Sequence, residues 1–151
     1  MSGASTLRAV DIGVFVIANV INLVLAAIFL VRTRRLARVE RALGWISVAM
    51  TIPLAAAVAV NALAGRPGWY WALPLVTVAF LAVEFLLDYL LKTDFRHGRL
   101  LAPYLVLYYL SEFAMIGYSF LVGKPYGLIT LVTYFLNLAA TAYSYARVRH
   151  G

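Results

Sequence analysis

The 151-residue chain contains no cysteine. Disulfides, thiolate metal sites and cysteine nucleophiles are therefore excluded. Its two histidines, His97 and His150, both lie outside the apolar runs, so bis-histidine haem within a bilayer is not expected. Acids are scarce: six Asp and Glu stand against thirteen Lys and Arg, a net charge of +7. There is no P-loop, Gly-rich dinucleotide turn or metalloprotease helix motif. No serine sits in a nucleophile elbow or near a histidine. Neither low-complexity segments nor internal repeats are present.

Apolar surface, by contrast, is abundant. Hydrophobic residues make up 64% of the chain and mean hydropathy is +0.89. A soluble domain of this length has no core large enough to hide that much apolar surface, so the solvent itself must be apolar. A hydrocarbon core needs roughly 20 apolar residues per helix. Five runs meet this, at approximately 11–31, 43–64, 70–91, 101–122 and 126–146. The expected fold is all-α: a polytopic integral membrane protein whose residues 1–151 form a single transmembrane domain.

The ends of the runs carry boundary signals. Gly65-Arg66-Pro67-Gly68 and Gly123-Lys124-Pro125-Tyr126-Gly127 are tight turns, and Trp69, Tyr70 and Trp71 form an interfacial aromatic belt. Pro74, Pro103 and Pro125 fall in or just before a first helical turn, where a missing N–H costs little. Pro53 lies inside the second run and predicts a kink there. The first run is too long for a signal peptide and is followed by Arg32-Thr33-Arg34-Arg35 rather than by small residues, so it reads as a retained span.

The bases alternate from side to side. Arg32, Arg34, Arg35, Arg38 and Arg41 fill the first gap, Lys92, Arg96 and Arg99 the third, and Arg147 and Arg149 the C-terminal tail. The opposite side has one base per region: Arg8, Arg66 and Lys124. The positive-inside rule then puts the N-terminus outside and the C-terminus in the cytoplasm of a multi-pass cell-membrane protein. Because the bases flank apolar runs, they read as topogenic charge meeting anionic headgroups, and no nucleic-acid partner is expected.

Ionisable groups at bilayer depth are costly, which makes them functional candidates. Glu112 lies about halfway along the fourth run, roughly 16 Å from its cytoplasmic end, and Glu84 lies roughly 10 Å from the same side in the third. These runs are antiparallel neighbours, so the two carboxyls can approach if their faces match. Such a pair would suit a proton carrier or a cation site. Asp88 follows Glu84 by one helical turn, with Lys92 or Arg99 as its expected partner. Asp11, at the outer edge of the first run, is explained by headgroup water or by a helix N-terminus.

The first, second, fourth and fifth runs also carry an uncharged polar stripe: Asn19 and Asn22; Ser47, Thr51 and Asn61; Tyr104, Tyr108, Ser111 and Ser119; Thr130, Thr133, Asn137, Thr141 and Ser144. In lipid these stripes should converge on one interior, with Asn19, Asn22, Glu112 and Asn137 near one depth. Ser and Thr also serve plain helix packing, as does the face Ala55, Ala59 and Ala62. The aromatic residues around Glu112 would suit an organic cation or an apolar ligand with one polar anchor.

Three functions fit. The lead is a small membrane transporter or ligand-binding protein, with Glu112 as the protonatable or cation-binding anchor and Glu84 as a second carboxyl. Asp88 is a further acid of this site, and Asn19, Asn22, Tyr108 and Asn137 supply hydrogen bonds. The alternative is an accessory or structural subunit of a larger membrane complex. The third is a membrane-embedded enzyme acting on a lipid or isoprenoid, with Glu84, Asp88 and Glu112 as acid/base groups. Neither cofactor nor metal is expected, since Asp94 falls among Lys92, Arg96 and Arg99 and so does not complete a Mg²⁺–diphosphate site. Partners are the bilayer and a small molecule or cation. Five helices make a thin wall for a closed pathway, which points to a homodimer or a larger membrane assembly.

Overall fold

The computed structural model describes residues 3–92 and 98–149. Asp94, Arg96, His97 and His150 lie outside the described residues. The described residues are almost entirely helical: α1 (Gly3–Thr33), α2 (Ala37–Ala49), α3 (Thr51–Leu63), α4 (Trp69–Glu84), α5 (Leu101–Val122) and α6 (Lys124–Arg149). Five helical units are long and apolar enough to cross a membrane, α2 and α3 counting together as one. This is the architecture of a multi-pass membrane protein.

The second span breaks at Met50, three residues before Pro53. The proline ring clashes with the carbonyl four residues back, that of Ala49, and offers it no N–H. The helix therefore yields there and resumes at Thr51. α4 changes character at its far end, where Phe85–Leu90 form a π-helix. The wider turn ends with Lys92 in a left-handed conformation at φ 48°. Asp88 and Lys92 thus no longer share a helical face.

α1 is the hub and packs against α6, α2, α5 and α3. One of its faces is an apolar seam of Val14, Ala18, Ile21, Leu25 and Ile28, spaced four, three, four and three residues apart. The seam meets Leu54, Ala57, Met115 and Tyr118 towards one end, and Phe80, Leu81 and Tyr108 towards the other. This spacing keeps one stripe on its neighbours over the whole length. A second face of α1 carries Asn19 and Asn22 and meets α6. Since lipid tails are as apolar as leucine, such contacts act through close packing and interhelical hydrogen bonds rather than through exclusion of water.

The bend at Met50 also decides which face of α3 turns inward. Leu54, Ala57 and Asn61 are buried, whereas Ala55, Ala59 and Ala62 are exposed. The alanine face expected to pack within the bundle therefore points away from it. Alanine removes no polar group from lipid and so has no reason to turn in, whereas Asn61 does.

Candidate functional site

The polar stripes of α1, α5 and α6 converge and bond mainly to one another, whereas Asn61 of α3 bonds away from them, to Arg66, Tyr70 and Tyr118. Asn19 donates through Nδ2 to Thr130 Oγ1 at 3.1 Å and to the Phe15 carbonyl at 2.8 Å, and its Oδ1 accepts from Thr133 at 2.8 Å. Asn22 donates to Thr133 Oγ1 at 3.3 Å. Asn137 donates to Asn22 Oδ1 at 3.4 Å and to the Tyr108 hydroxyl at 2.7 Å. Thr130 donates to Ser119 at 2.9 Å. The result is a continuous polar seam along α1, α6 and α5, from Ser119 to Tyr108. Its offset is steady, with Asn19 beside Thr130 and Asn22 beside Thr133, so α1 and α6 run parallel. That agrees with their both being odd-numbered spans.

Glu112 lies one turn from Tyr108 on α5, at mid-span, and is only 5% exposed. No hydrogen bond or ion pair to its carboxyl is present among the described residues. Nearby, Tyr134 packs against Phe113 with ring centroids 5.9 Å apart. Asn137 Oδ1 is buried without a hydrogen-bond donor among the described residues. The middle of the bundle thus holds a carboxyl and an amide oxygen, both acceptors when the acid is ionised, with no base beside them among the described residues. Among the described residues no group of three or more His, Cys, Asp and Glu side chains could hold a metal ion.

Glu84 is not at this level. Thr77 and Ser111 are hydrogen-bonded at 3.0 Å and so fix the antiparallel register of α4 and α5. Phe80 meets both Tyr104 and Tyr108, at 5.6 and 5.5 Å. In that register residue 84 lies level with residue 104, eight positions from Glu112, or about 12 Å along the axis. Asp88 is farther still. The structure therefore brings Asn19, Asn22, Tyr108, Asn137 and Glu112 to one region and leaves Glu84 and Asp88 near the end of α4.

A second cluster closes the opposite end of the bundle. Arg66 donates to Asp11 Oδ1 and Oδ2 at 2.6 and 3.1 Å and to Asn61 Oδ1 at 2.9 Å. Tyr118 donates to Asp11 Oδ1 at 2.7 Å. Asn61 donates to the Tyr70 carbonyl at 2.9 Å and to the Tyr118 hydroxyl at 3.4 Å. The Arg66 guanidinium lies 3.5 Å over the Tyr70 ring. Its hydrogen bond to Asp11 raises its pKa above the ordinary arginine value, outweighing burial, which lowers it.

The local backbone explains how Arg66 gets there. Gly65 adopts φ 64°, with Gly65 N–H on the Ala62 carbonyl and Arg66 N–H on the Asn61 carbonyl. This paired capping pattern ends a helix in a left-handed residue, and it folds Arg66 back over Asn61. Asp11 is therefore not left to headgroup water, as its position in the sequence suggests. The available signal was a lone acid and a lone base on the same side, the base next to a glycine-rich turn.

No known protein family matches this sequence, and no curated protein or solved structure is detectably similar to it.

Proposed function

We propose that this protein is a small carrier in the cell membrane, N-terminus outside and C-terminus in the cytoplasm, that moves a proton or binds a small cation at Glu112. The observation behind this reading is the Glu112 residue itself, 5% exposed at mid-span, with no hydrogen bond or ion pair to its carboxyl among the described residues. A group in that setting needs a proton or a cation to be neutralised, and natural bundles seldom retain such a cost without a use. The donor-less Asn137 Oδ1 adds a second oxygen to the same region. Asn19, Asn22 and Tyr108 shape the polar seam around it. The Asp11–Arg66 cluster would close the outer end, and Glu84 and Asp88 would lie along the route to the cytoplasm.

The test uses liposomes holding a trapped pH-sensitive dye and the purified protein. Wild type is expected to dissipate an imposed proton gradient, or to couple its decay to sodium or potassium added on one side. Glu112→Gln is expected to lose this at least ten-fold while unfolding at an unchanged temperature. Equal flux in both proteins would remove Glu112 from the mechanism.

A second reading, that of an accessory subunit, is favoured by the exposed Ala55, Ala59 and Ala62, since a small-residue face suits close approach of another helix. Absence of flux in wild type, with native masses showing a defined larger assembly, would select it. The enzyme reading has less support, because Glu84 and Asp88 lie two turns or more from Glu112 and form no acid/base group with it.

A further inference from the structure

An open surface cavity of about 330 Å³ lies at the arginine-rich end of the bundle, lined by the exposed α2 residues Ala37, Arg38, Arg41, Ala42 and Trp45. The five arginines of this segment are not equivalent. Arg32 is spent on Glu40, to which it donates from Nε at 2.9 Å and from Nη2 at 2.6 Å. Arg34 and Arg35 sit in the turn between α1 and α2, away from the cavity lining. Arg38 and Arg41 line the cavity, and neither is paired with a carboxylate among the described residues. Two guanidinium groups one turn apart, with no carboxylate paired to them among the described residues, present a forked donor array suited to phosphate oxygens.

The aromatic wall is held in place. Trp45 packs on Tyr89 at 4.5 Å and on Phe85 at 6.1 Å between ring centroids. Gly44 lets the Tyr89 hydroxyl approach so closely that a Cβ there would collide with it. The π-helical turn of Phe85–Leu90 carries both rings that back Trp45. α2 also begins at Leu36 without a side-chain cap, so the positive end of its dipole adds to the field of the two arginines.

Depth selects the ligand. Trp45 is level with Tyr89, in the last turn of the α4 span, so it stands at the edge of the hydrocarbon. Arg41 and Arg38 lie four and seven residues beyond it, about 6 and 10 Å outward at the helical rise. The polar layer of a bilayer leaflet is roughly 5–8 Å thick. Arg41 therefore lies within the phosphate layer and Arg38 just beyond its outer margin, within reach of it by its long side chain, while the indole stays at the boundary, the position tryptophan favours. Below Trp45 the helix exposes Ile46 and Ile52, an apolar track along which an acyl chain can lie.

We propose that this cavity is a binding site for the phosphodiester of an anionic phospholipid, with Arg38 and Arg41 on the phosphate and Trp45 against the glycerol and the upper acyl chain. The proposal needs only the membrane-spanning architecture and does not depend on the role of Glu112.

The experiment is native mass spectrometry of the delipidated full chain in detergent, titrated separately with phosphatidylglycerol, phosphatidylcholine and inorganic phosphate. Wild type is expected to retain one phosphatidylglycerol at least ten-fold more tightly than phosphatidylcholine. Arg38→Gln/Arg41→Gln is expected to lose that preference. Arg34→Gln/Arg35→Gln, with the same change in net charge, is expected to keep it within two-fold. Equal losses in the two double variants would reduce the site to general charge and overturn the proposal. So would equal retention of the two lipids by wild type, or inorganic phosphate that displaces phosphatidylglycerol at equal concentration. Because all four arginines are exposed, folding of each variant is checked by its thermal unfolding, and a variant that unfolds early is replaced by its Lys counterpart. Lysine keeps the charge but not the fork, so an intermediate loss supports the site and an unchanged preference counts against it.

Discussion

Arg66 forks onto Asp11 across 55 positions of sequence, with bonds of 2.6 and 3.1 Å. Each of the two side chains is only 15% exposed. The pair ties the start of α1 to the turn between α3 and α4, and Tyr118 ties α5 to the same carboxylate. Partly buried, charge-assisted and shared among several helices, it differs from a surface ion pair, whose worth is close to nothing.

Asp11→Asn is accordingly expected to destabilise the folded bundle by about 1–3 kcal/mol, the range for hydrogen bonds to charged groups. Arg66→Lys should lose most of the same amount, since a lysine cannot fork onto both oxygens or stack flat on Tyr70. Thermal unfolding of both single variants and the double variant in detergent gives the coupling. Additive losses would show that the two residues act separately.

Asn137 donates to both Asn22 and Tyr108, so Asn137→Leu removes two interhelical bonds at once. With each such bond worth on the order of 0.6 kcal/mol in a membrane bundle, the loss should be roughly 1–2 kcal/mol. Among the described residues Thr141 bonds only to the Asn137 carbonyl of its own helix, at 2.8 Å. Thr141→Val should therefore change stability by less than about 0.5 kcal/mol. Equal effects in an unfolding titration would mean that the seam is not an interhelical device.

Glu112 should behave in the opposite sense. A buried carboxyl with no partner opposes folding, and an apolar residue of similar volume removes that cost. Glu112→Leu is expected to leave stability unchanged or to raise it by about 1–3 kcal/mol, while abolishing proton or cation flux. A loss above about 1 kcal/mol would identify Glu112 as a holding residue and count against the carrier reading.

Arg35 adopts φ 56° at the end of α1. The Arg35 and Leu36 amides bond back to the Arg32 and Val31 carbonyls at 3.1 and 3.5 Å. This is the geometry that Gly65 takes without strain, here occupied by a residue with a Cβ. Left-handed backbone costs a non-glycine residue about 1–2 kcal/mol, part of which glycine returns as extra freedom in the unfolded chain. Arg35→Gly should raise stability by about 0.5–1 kcal/mol, read from the unfolding midpoint.

Composition and spacing alone determined that there are five spans, which faces of the first, fourth and fifth turn inward, and where the second one bends. The reasons are local. A span needs its apolar length wherever it sits, a polar stripe at helical spacing has only one direction to face in lipid, and a proline disturbs its own helix. Relations between helices were decided only by the tertiary structure. Helical rise placed Glu84 and Glu112 at their depths along antiparallel neighbours, but the distance between them follows from the α4–α5 register, which Thr77 and Ser111 set. Asp11 and Arg66 each looked like an isolated interfacial charge, and their union depends on a left-handed glycine that carries one back to the other. The five arginines of the first gap look alike as a string of residues. The turn at Arg35 and the packing of Trp45 on Tyr89 separate them into one that is paired, two that are held in a turn, and two that line a cavity.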